Sequence, residues 1–403
     1  MLAVADALER ITSTFSTLPV EWVALDAALG RVLARELVAE RDQPPQDLSA
    51  MDGYAVRAAD LAEGAATLRL VGAAPAGGRF GRALEPGETV RIFTGGPLPD
   101  GADAVALQEN AAAEGDQIRL EGKVEPGTYV RPAGLDIKCG ELGLPAGKLL
   151  TARDLGLAAT LNHAWLPVRR RPRIALLATG DELVRPGQAQ APGDIVNSNT
   201  VALAAMVQIW GGSPADLGIT RDEPEALREI VADLAGADLV VTLGGASVGE
   251  RDLVRRVLGE RGLALDFWQI AMRPGKPLMF GKIGGTPLLG LPGNPVSAGV
   301  CAVLFVRAAI AALLGLDPKP AEMPAVLGRA LEANDRREEY LRASAHWRDD
   351  GRLEVHPASR QDSSMLATFA RADCLLKRPP FAPAMPVGTP VTVLPLAPAP
   401  IGV

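Results

Sequence analysis

The sequence is poor in the residue types that build disulfide-stapled, zinc-binding or redox proteins. Its 403 residues include three cysteines and three histidines: Cys139, Cys301, Cys374, His163, His346 and His356. The cysteines are odd in number and scattered, which fits neither a disulfide framework nor a zinc motif. Because the histidines also lie far apart in the chain, the sequence argues against a metal cage built from His and Cys.

Aromatic residues and excess positive charge are also scarce. Aromatic residues make up 4% of the chain, and the formal net charge is −7. A broad basic surface for nucleic acid is therefore not expected, although a local basic pocket could still bind a small anion. Hydrophobic residues make up 48% of the chain, enough for sizeable cores of Ala, Leu and Val. The length favours roughly two to four domains.

The sequence shows neither a signal peptide nor an uninterrupted apolar run of about 18 residues. The N-terminal MLAVADALER lacks a basic segment followed by an apolar one. The longest apolar stretch, Ala298 to Leu316, contains Arg307 and is typical of a buried helix. We therefore expect a cytoplasmic protein.

Short apolar segments alternate with helical patterns in the middle of the chain. The predicted strands are Ile174–Ala178, Asp216–Ile219, Asp238–Leu243 and Leu288–Leu291. The helix after the first strand has an apolar face from Leu203 to Trp210, with Asn199 or Thr200 as its expected N-cap. This alternation predicts a doubly wound α/β sheet.

Composition divides the chain into four predicted domains. Residues 44–137 are rich in Gly and Pro with short alternating runs, which predicts a small mixed β domain inserted near the N-terminus. Residues 1–43 and 138–170 would form a helical and linker domain, and residues 171–318 the central α/β domain. Residues 319–403 are predicted to form a barrel-like C-terminal β domain, with a hairpin turn at Asp349–Gly351 and an edge strand or tail from Pro379 onward.

Glycines and polar residues follow the third predicted strand. Gly244 and Gly245 end it, and Ser247 and Asp252 come before the next helix. Backbone N–H groups at such a turn can hold an anion, and a carboxylate beside that anion suggests a metal ion or a proton to handle. A tight β-to-α turn without a ligand is the alternative interpretation.

The carboxyl ends of parallel strands share one edge of a sheet, and ligands bind there in doubly wound folds. The segments expected at this edge are Thr179-Gly180-Asp181-Glu182, Asp222, Gly244 to Asp252 and Pro292-Gly293-Asn294. Their convergence predicts a ligand site that no single motif would establish.

Two cations lie close together around a Pro-Gly turn. Arg273 and Lys276 flank Pro274 and Gly275, and their mutual repulsion calls for an anion or an acid nearby. Arg provides a planar fork for oxyanions and Lys a point charge, so phosphate or another tetrahedral oxyanion is the predicted target. A solvated loop is the alternative. Arg342 and Ser363 could each add a donor.

Six segments resemble the MoeA-type molybdopterin molybdenumtransferases, the family that includes the E domain of gephyrin. They are SAMDGYAVR (49–57), IFTGGPLP (92–99), TGDEL (179–183), GGASVGERD (244–252), MRPGKP (272–277) and LPGNPVSA (291–298). They occur in the family order and cover nearly the whole chain. The resemblance implies an elongated homodimer of four-domain chains, whose central domain is similar to the molybdopterin adenylyltransferase fold.

The reaction implied by the resemblance inserts molybdate into adenylylated molybdopterin. The adenylate is cleaved with a divalent metal, normally Mg²⁺, and AMP and molybdenum cofactor are released. Molybdate and adenylylated molybdopterin would be the substrates. The implied partners are other proteins of the pathway, namely the molybdopterin adenylyltransferase and a cofactor-nucleotide-attaching enzyme, with neither nucleic acid nor membrane involved.

The resemblance also implies roles for individual residues. Those implied to hold molybdate are Arg273, Lys276, Arg342 and Ser363, with Ser364 as the alternative to Ser363. The implied catalytic residues are Glu182, Asp222, Asp252 and Lys276, of which Asp222 and Asp252 would bind the metal. The residues implied to bind molybdopterin and nucleotide are Thr179, Gly180, Asp181, Gly244, Gly245, Ser247, Pro292, Gly293 and Asn294. Those implied to act across the dimer interface are Asp52, Thr94 and Asp136.

Two other functions compete with this interpretation. One is a non-catalytic scaffold of the gephyrin type, which the intact acids and cations argue against. The other is a molybdopterin adenylyltransferase, which the additional domains argue against. A nicotinamide dehydrogenase is disfavoured because the first strand of the α/β domain leads into ATGDE and not into GxGxxG.

Overall fold

The computed structural model describes residues 1–220, 236–244 and 263–396. The chain forms two compact units. One comprises Met1–Glu21, Gly30–Val32 and Val168–Val403, and the other comprises Trp22–Leu29 and Leu33–Pro167. Two strands, Val20–Ala24 and Trp165–Arg169, cross the division between these units.

The unit built from residues 22–29 and 33–167 contains a six-stranded sheet. In spatial order its strands are Ala104–Leu107, Gly53–Val56, Glu88–Ile92, Ala65–Ala74, Gln117–Glu121 and Ala111–Glu114. Its shorter strands are Leu37–Val38, Leu48–Ser49, Val130–Arg131 and Leu142–Leu144. The β-rich domain expected near the N-terminus is therefore present, while the exact domain boundaries stay predictions.

A single α-helix, Ala152–Thr160, is found in the described part of this unit. Its N-cap, Thr151, accepts a hydrogen bond from the N–H of Asp154, and the Asp154 carboxylate accepts one from the N–H of Thr151. This reciprocal capping box satisfies two donors that the first helical turn leaves without partners.

The central sheet of the larger unit has six strands. They are β1 (Arg173–Thr179), β2 (Ser213–Thr220), β3 (Leu239–Leu243), β4 (Ala264–Phe267), β5 (Met279–Ile283) and β6 (Thr286–Leu291). Their spatial order is β2-β1-β3-β6-β5-β4. In this order, the strands β2, β1, β3 and β6 are parallel to one another. β5 pairs antiparallel with β6, and β4 pairs antiparallel with β5. The predicted α/β fold is confirmed, with a mixed edge added to the parallel core.

The parallel strands are apolar on both faces because both faces are buried. Successive residues of β3 point to opposite sides of the sheet: Val240 belongs to one hydrophobic cluster and Val241 to another. Each fully buried side chain of this size contributes about 1.5–3 kcal/mol relative to exposure. Burial on both faces explains why the sequence shows a continuous apolar run here and no alternation.

The helix after β1 begins earlier than predicted. It spans Ser198–Ile209, and its N-cap is Asn197, whose side chain accepts from the N–H of Thr200. Asn199 and Thr200 therefore lie within the first turn, and the prediction that one of them caps the helix was wrong. Asn197 is the better cap because the side chain of Thr200 is itself buried against it.

The long apolar segment forms a helix through the core. It comprises Pro295–Cys301, a π-helical turn at Ala302–Val306 and Arg307–Leu314. This helix is long and apolar enough to cross a membrane, with a mean hydropathy of 2.2, but 89% of that window is buried inside the protein. The prediction of a buried helix is confirmed. The first helix, Val4–Thr12, packs against its C-terminal part.

The C-terminal strands close into a barrel. They are β7 (Met323–Leu327), β8 (Glu338–Trp347), β9 (Leu353–Pro357), β10 (Cys374–Arg378) and β11 (Pro390–Pro395), with a short helix at Leu366–Ala370. The β8–β10 pairing closes the ring β8-β9-β7-β11-β10. The predicted barrel and hairpin are confirmed. For Pro390–Pro395 the prediction of an edge strand or tail was wrong, because β11 pairs with both β7 and β10; residues 397–403 lie outside the described residues.

Candidate active site

The register of the parallel strands aligns their carboxyl ends. Ala178 is opposite Leu243, and Leu243 is opposite Leu291. The residues that follow, Thr179, Gly244 and Pro292, therefore line one cleft of about 460 Å³. The same cleft is lined by Gly180, Glu182, Gly293 and Asn294. The structure thus brings together chain segments that lie more than one hundred residues apart.

Gly244 allows close contact between two strand ends. Its φ is +94°, and a Cβ added there would lie 2.6 Å from the carbonyl oxygen of Thr179. A larger residue would push the neighbouring strand end away. The hydroxyl oxygen of Thr179 is buried and has no hydrogen-bond partner among the described residues. A buried hydroxyl without a partner is a candidate donor to a ligand.

Asn199 was missed as a site residue by sequence reasoning. It lines the strand-end cleft, and its side-chain amide donates to the carbonyl of Gly293 at 2.7 Å. This bond fixes the Pro292–Asn294 turn against the first turn of the helix Ser198–Ile209. The sequence offered only a polar residue near a helix start, which is equally typical of a cap.

A second cleft, of about 910 Å³, opens beside the barrel. Five arginines and three carboxylates line it: Arg273, Arg329, Arg342, Arg360, Arg378, Glu332, Glu339 and Asp362. The excess of guanidinium groups makes this arginine cleft suited to an anion. Arg329, Arg360 and Arg378 were not predicted, because an isolated arginine in a strand or loop carries no sequence signal.

Three charged residues form a row across adjacent strands in the arginine cleft. Arg273 pairs in register with Glu339 of β8, and Glu339 pairs with Arg378 of β10. A carboxylate oxygen of Glu339 accepts from Arg378 Nη1 at 2.8 Å, and its other oxygen lies 3.5 Å from Arg273 Nη1. Arg378 and Glu339 are buried, whereas the side chain of Arg273 is 57% exposed. Glu339 therefore anchors one arginine and orients another that faces solvent.

Arg342 is a buried cation of the same cleft. It is 1% exposed, and its Nη2 donates to the carbonyl of Asp362 at 3.0 Å. Its Nε is buried with no partner in the part of the chain that the structure describes. Burial lowers the pKa of the Arg342 guanidinium, since the charged form loses hydration there. An oxyanion placed against this group would supply the missing acceptor.

Two structural links connect the linings of the two clefts. Arg273 lines the arginine cleft and Pro277 the strand-end cleft, so the Arg273–Pro277 segment, which carries Lys276, passes from one to the other. Asp362 lines the first and Asn294 the second, and between them the Asn294 side-chain amide donates to the Ser363 hydroxyl at 3.0 Å. The predicted anion-binding residues therefore lie next to the predicted nucleotide-binding residues.

Ser363 and Ser364 differ in their hydrogen bonds. Ser364 donates from its hydroxyl to Asp362 Oδ1 at 2.5 Å. That bond is the main cause of the lowered pKa of Asp362, which keeps this carboxylate ionised and the Ser364 hydrogen occupied. The Ser363 hydroxyl accepts from Asn294, which leaves its own hydrogen available to an anion.

In the unit built from residues 22–29 and 33–167, two predicted residues meet. Asp52 Oδ1 accepts from the backbone N–H of Thr94 at 2.8 Å and from its hydroxyl at 2.9 Å. The backbone hydrogen bond, followed by the hydroxyl, lowers the pKa of Asp52. Asp136 is exposed, and its backbone N–H donates to Gln43. All three are on the surface of this unit.

Four predicted site residues lie outside the described residues: Asp222, Gly245, Ser247 and Asp252. Asp181 and Glu182 are described and exposed at the end of β1. The roles of all these residues remain predictions.

Comparison with known protein families matches three segments that together span most of the chain. Residues 2–162 match the MoeA N-terminal region (domains I and II), residues 175–312 a probable molybdopterin-binding domain, and residues 324–396 the MoeA C-terminal region (domain IV).

Relatives of known name cover most of the chain. A molybdopterin molybdenumtransferase of a Nostoc species is 38% identical over 370 residues, which is 89% of this chain and 85% of the relative. The enzyme of the same name from Haemophilus influenzae is 35% identical and covers 88% of this chain and 89% of its own length.

A solved structure shares the fold over the full length. The crystal structure of the molybdopterin biosynthesis MoeA protein from Pyrococcus horikosii superposes with a TM-score of 0.86 at 29% identity, covering 99% of this chain and 100% of that one. By these matches and identities, this chain belongs to the MoeA family of molybdopterin molybdenumtransferases.

Proposed function

We propose that this protein is a transferase of molybdenum cofactor biosynthesis that inserts molybdate into adenylylated molybdopterin. The products are AMP and molybdenum cofactor. The observation that carries this proposal is that the Arg273–Pro277 segment and the Asn294–Ser363 hydrogen bond connect the linings of the two clefts. One substrate is a large anionic pterin nucleotide and the other a small oxyanion, and they have to meet during the reaction.

The arginine cleft supplies charge for the smaller substrate. Molybdate is a tetrahedral dianion, and it requires several donors at once. Among the described residues, the buried Nε of Arg342 has no partner and the Ser363 hydroxyl hydrogen is free, while Arg273 is oriented by Glu339. These groups are arranged before the substrate binds, so little reorganisation is needed when charge shifts during the reaction.

The strand-end cleft holds the pterin nucleotide in this proposal. The turns at Gly180, Gly244 and Gly293 would bring the backbone close to the ligand. The Thr179 hydroxyl, which has no hydrogen-bond partner among the described residues, would donate to it. Lys276 lies on the segment between the clefts and would contact the phosphate or the molybdate. An oxygen of water or molybdate would attack the phosphoanhydride and release AMP. The two pterin sulfurs would replace oxygen ligands of molybdate, and those oxygens would leave as water with the thiol protons.

We also propose Mg²⁺ as the metal. In the described part of the chain, Glu182 provides a carboxylate at the strand-end cleft, which is the oxygen ligand that Mg²⁺ prefers. Asp222 and Asp252, the further proposed ligands, follow β2 and β3 in the sequence. When bound there, Mg²⁺ would neutralise negative charge on the phosphates.

The proposal extends to assembly and location. We propose a homodimer in which Asp52, Thr94 and Asp136 complete the active cleft of the other chain. The protein would act in the cytoplasm, receive its substrate from the molybdopterin adenylyltransferase and pass its product to a nucleotide-attaching enzyme. These points rest on the family resemblance of the motifs.

The test is a reconstituted assay. Purified protein receives adenylylated molybdopterin, molybdate and Mg²⁺, and AMP release and cofactor formation are followed over time. We expect both to depend on molybdate. Adenylylation of free molybdopterin from ATP, without molybdate-dependent AMP release, would instead identify an adenylyltransferase. Tight substrate binding without turnover would identify a scaffold.

A further inference from the structure

A cluster of two histidines and one glutamate lies on the outer side of the barrel. His346 is on β8, while Glu354 and His356 are on β9, and His346 is directly opposite Glu354 in the antiparallel register. Side chains alternate between the two faces of a strand, so the three share one face. Val355, between Glu354 and His356, points instead into the barrel core.

The ligand atoms of the three side chains converge. His356 Nε2 lies 2.9 Å and His346 Nε2 3.5 Å from the same oxygen, Glu354 Oε1. The imidazole rings stack with centroids 5.2 Å apart and planes at 16°. All three ligand atoms lie within 4.8 Å of one another. The two nitrogen–oxygen distances, 2.9 and 3.5 Å, are close to the separation of about 3.3 Å between donors around a zinc ion at tetrahedral angles.

The cluster is held in place from two sides. The other oxygen of Glu354, Oε2, accepts from Arg348 Nη1 at 2.7 Å, which leaves Oε1 for the histidines. Gly328 lies behind His356, and a Cβ at that position would be 2.4 Å from the imidazole. The contact of His356 with Gly328 and the ion pair between Glu354 and Arg348 orient the ligand atoms before an ion binds, as supporting contacts do in metal sites.

Hydrogen bonds within the cluster leave part of the hydrogen-bonding capacity of the three side chains unused. His356 Nε2 hydrogen-bonds to Glu354 Oε1, whereas His346 Nε2 lies 3.5 Å from the same oxygen, beyond an ordinary hydrogen bond. As neutral ligands of a metal ion, the same two nitrogens and one oxygen would be fully used. The chain has three histidines in all, and two of them meet at this point.

We propose that His346, Glu354 and His356 form a zinc-binding site on the barrel hairpin, with the fourth position open to water. Two imidazole nitrogens and a carboxylate oxygen are a ligand set that suits Zn²⁺. The site is separate from the arginine cleft, since Arg342 precedes His346 by four residues on β8, roughly 13 Å along a strand. The bound ion would fasten β8 to β9.

The experiment uses full-length protein without a histidine tag, stripped with EDTA and titrated with ZnCl₂ by calorimetry. The variants are His346→Ala, His356→Ala and the double variant, with His163→Gln as the matched control outside the cluster. We expect each single variant to weaken zinc binding at this site by at least about 10-fold, as losses at metal sites are of this size or larger. The control should bind as the wild type does.

Two further readouts make the test specific. Co²⁺ should give visible d–d absorption in the wild type that the double variant lacks, and Gly328→Ala should weaken binding by displacing the His356 ring. Other carboxylates of the chain could also take up zinc, so the difference between the wild type and the double variant is decisive. Equal zinc binding by the two proteins, or none by the wild type, would overturn the proposal.

Discussion

The side-chain amide of Asn294 donates to the hydroxyl of Ser363 at 3.0 Å. Asn294 follows the last parallel strand of the central sheet, and Ser363 belongs to the loop between two strands of the barrel. A second bond, from the backbone N–H of Val296 to the Ser363 carbonyl at 3.1 Å, reinforces this connection. One loop of the barrel is thus fixed to the strand end at which the proposed nucleotide site lies.

This connection predicts different effects for two neighbouring serines. In Ser363→Ala we expect the KM for molybdate to rise by about 10-fold, because one donor to the anion is lost. In Ser364→Ala we expect a change of less than about 3-fold, because that hydroxyl is occupied by Asp362. Steady-state AMP release at varied molybdate measures both. A larger effect of Ser364→Ala would assign the anion contact to that residue.

The KM for molybdate should be sensitive even to a conservative substitution of Arg342. Arg342→Lys keeps the charge but loses the planar fork and the Nε donor, so we expect the KM for molybdate to rise by about 10-fold or more. Arg352→Lys is the control, since Arg352 is in an exposed ion pair with Asp350 in the same barrel. Equal kinetics for Arg342→Lys and the wild type would remove Arg342 from the anion site.

The buried Glu339–Arg378 pair should contribute strongly to stability. Glu339→Gln leaves the Arg378 guanidinium buried without its counter-charge, which we expect to lower the free energy of unfolding by about 3 kcal/mol. Asp266→Asn removes the exposed Arg10–Asp266 pair and should cost less than about 1 kcal/mol. Urea denaturation compares the two variants. Similar losses in both would show that Glu339 has no special structural role.

Glu88 should make stability depend on pH. Its carboxylate accepts from Arg82 and Arg69, each at 2.7 Å, and the hydrogen bond from Arg82 is the largest cause that lowers its pKa to about 2. A lowered folded-state pKa stabilises the protein above the unfolded value of 4.5, and this stabilisation is lost as the pH falls from 4.5 towards about 2.

The variant Glu88→Gln should therefore lose less stability than the wild type over that acid range. Glu121→Gln is the control, because Glu121 forms an exposed pair with Arg119. Denaturant midpoints measured at both ends of the range provide the comparison. A slope in Glu88→Gln as steep as that of the wild type would contradict the prediction.

The proposed dimer predicts complementation between two inactive variants. Asp52→Ala removes a group proposed to act in the active cleft of the other chain. Lys276→Ala removes a group proposed to act in the active cleft of its own chain. Each homodimer should have little activity, whereas mixed dimers made by co-expression should regain part of it, because one of their two clefts is intact. Light scattering checks that the species is a dimer. Absence of any recovery in verified mixed dimers would contradict shared active sites.

The sequence alone determined the local elements and the class of fold. The apolar run before Gly244 predicted a strand, and the structure has it as β3, buried throughout. Alternation around Asp349–Gly351 predicted the barrel hairpin in the same way. These features depend on periodicity over a few residues, which the amino-acid order fixes directly. The family motifs are likewise continuous segments.

Beyond the predicted convergence of the parallel strand ends, the tertiary structure alone decided which distant side chains meet. The row Arg273–Glu339–Arg378 arises from two strand pairings, which join residues 66 and 39 positions apart, and sequence spacing gives no sign of it. The meeting of His346 and His356 with Glu354 likewise depends on the antiparallel register of β8 and β9. Register and barrel closure set such contacts, because they bring together side chains whose positions along the chain are unrelated.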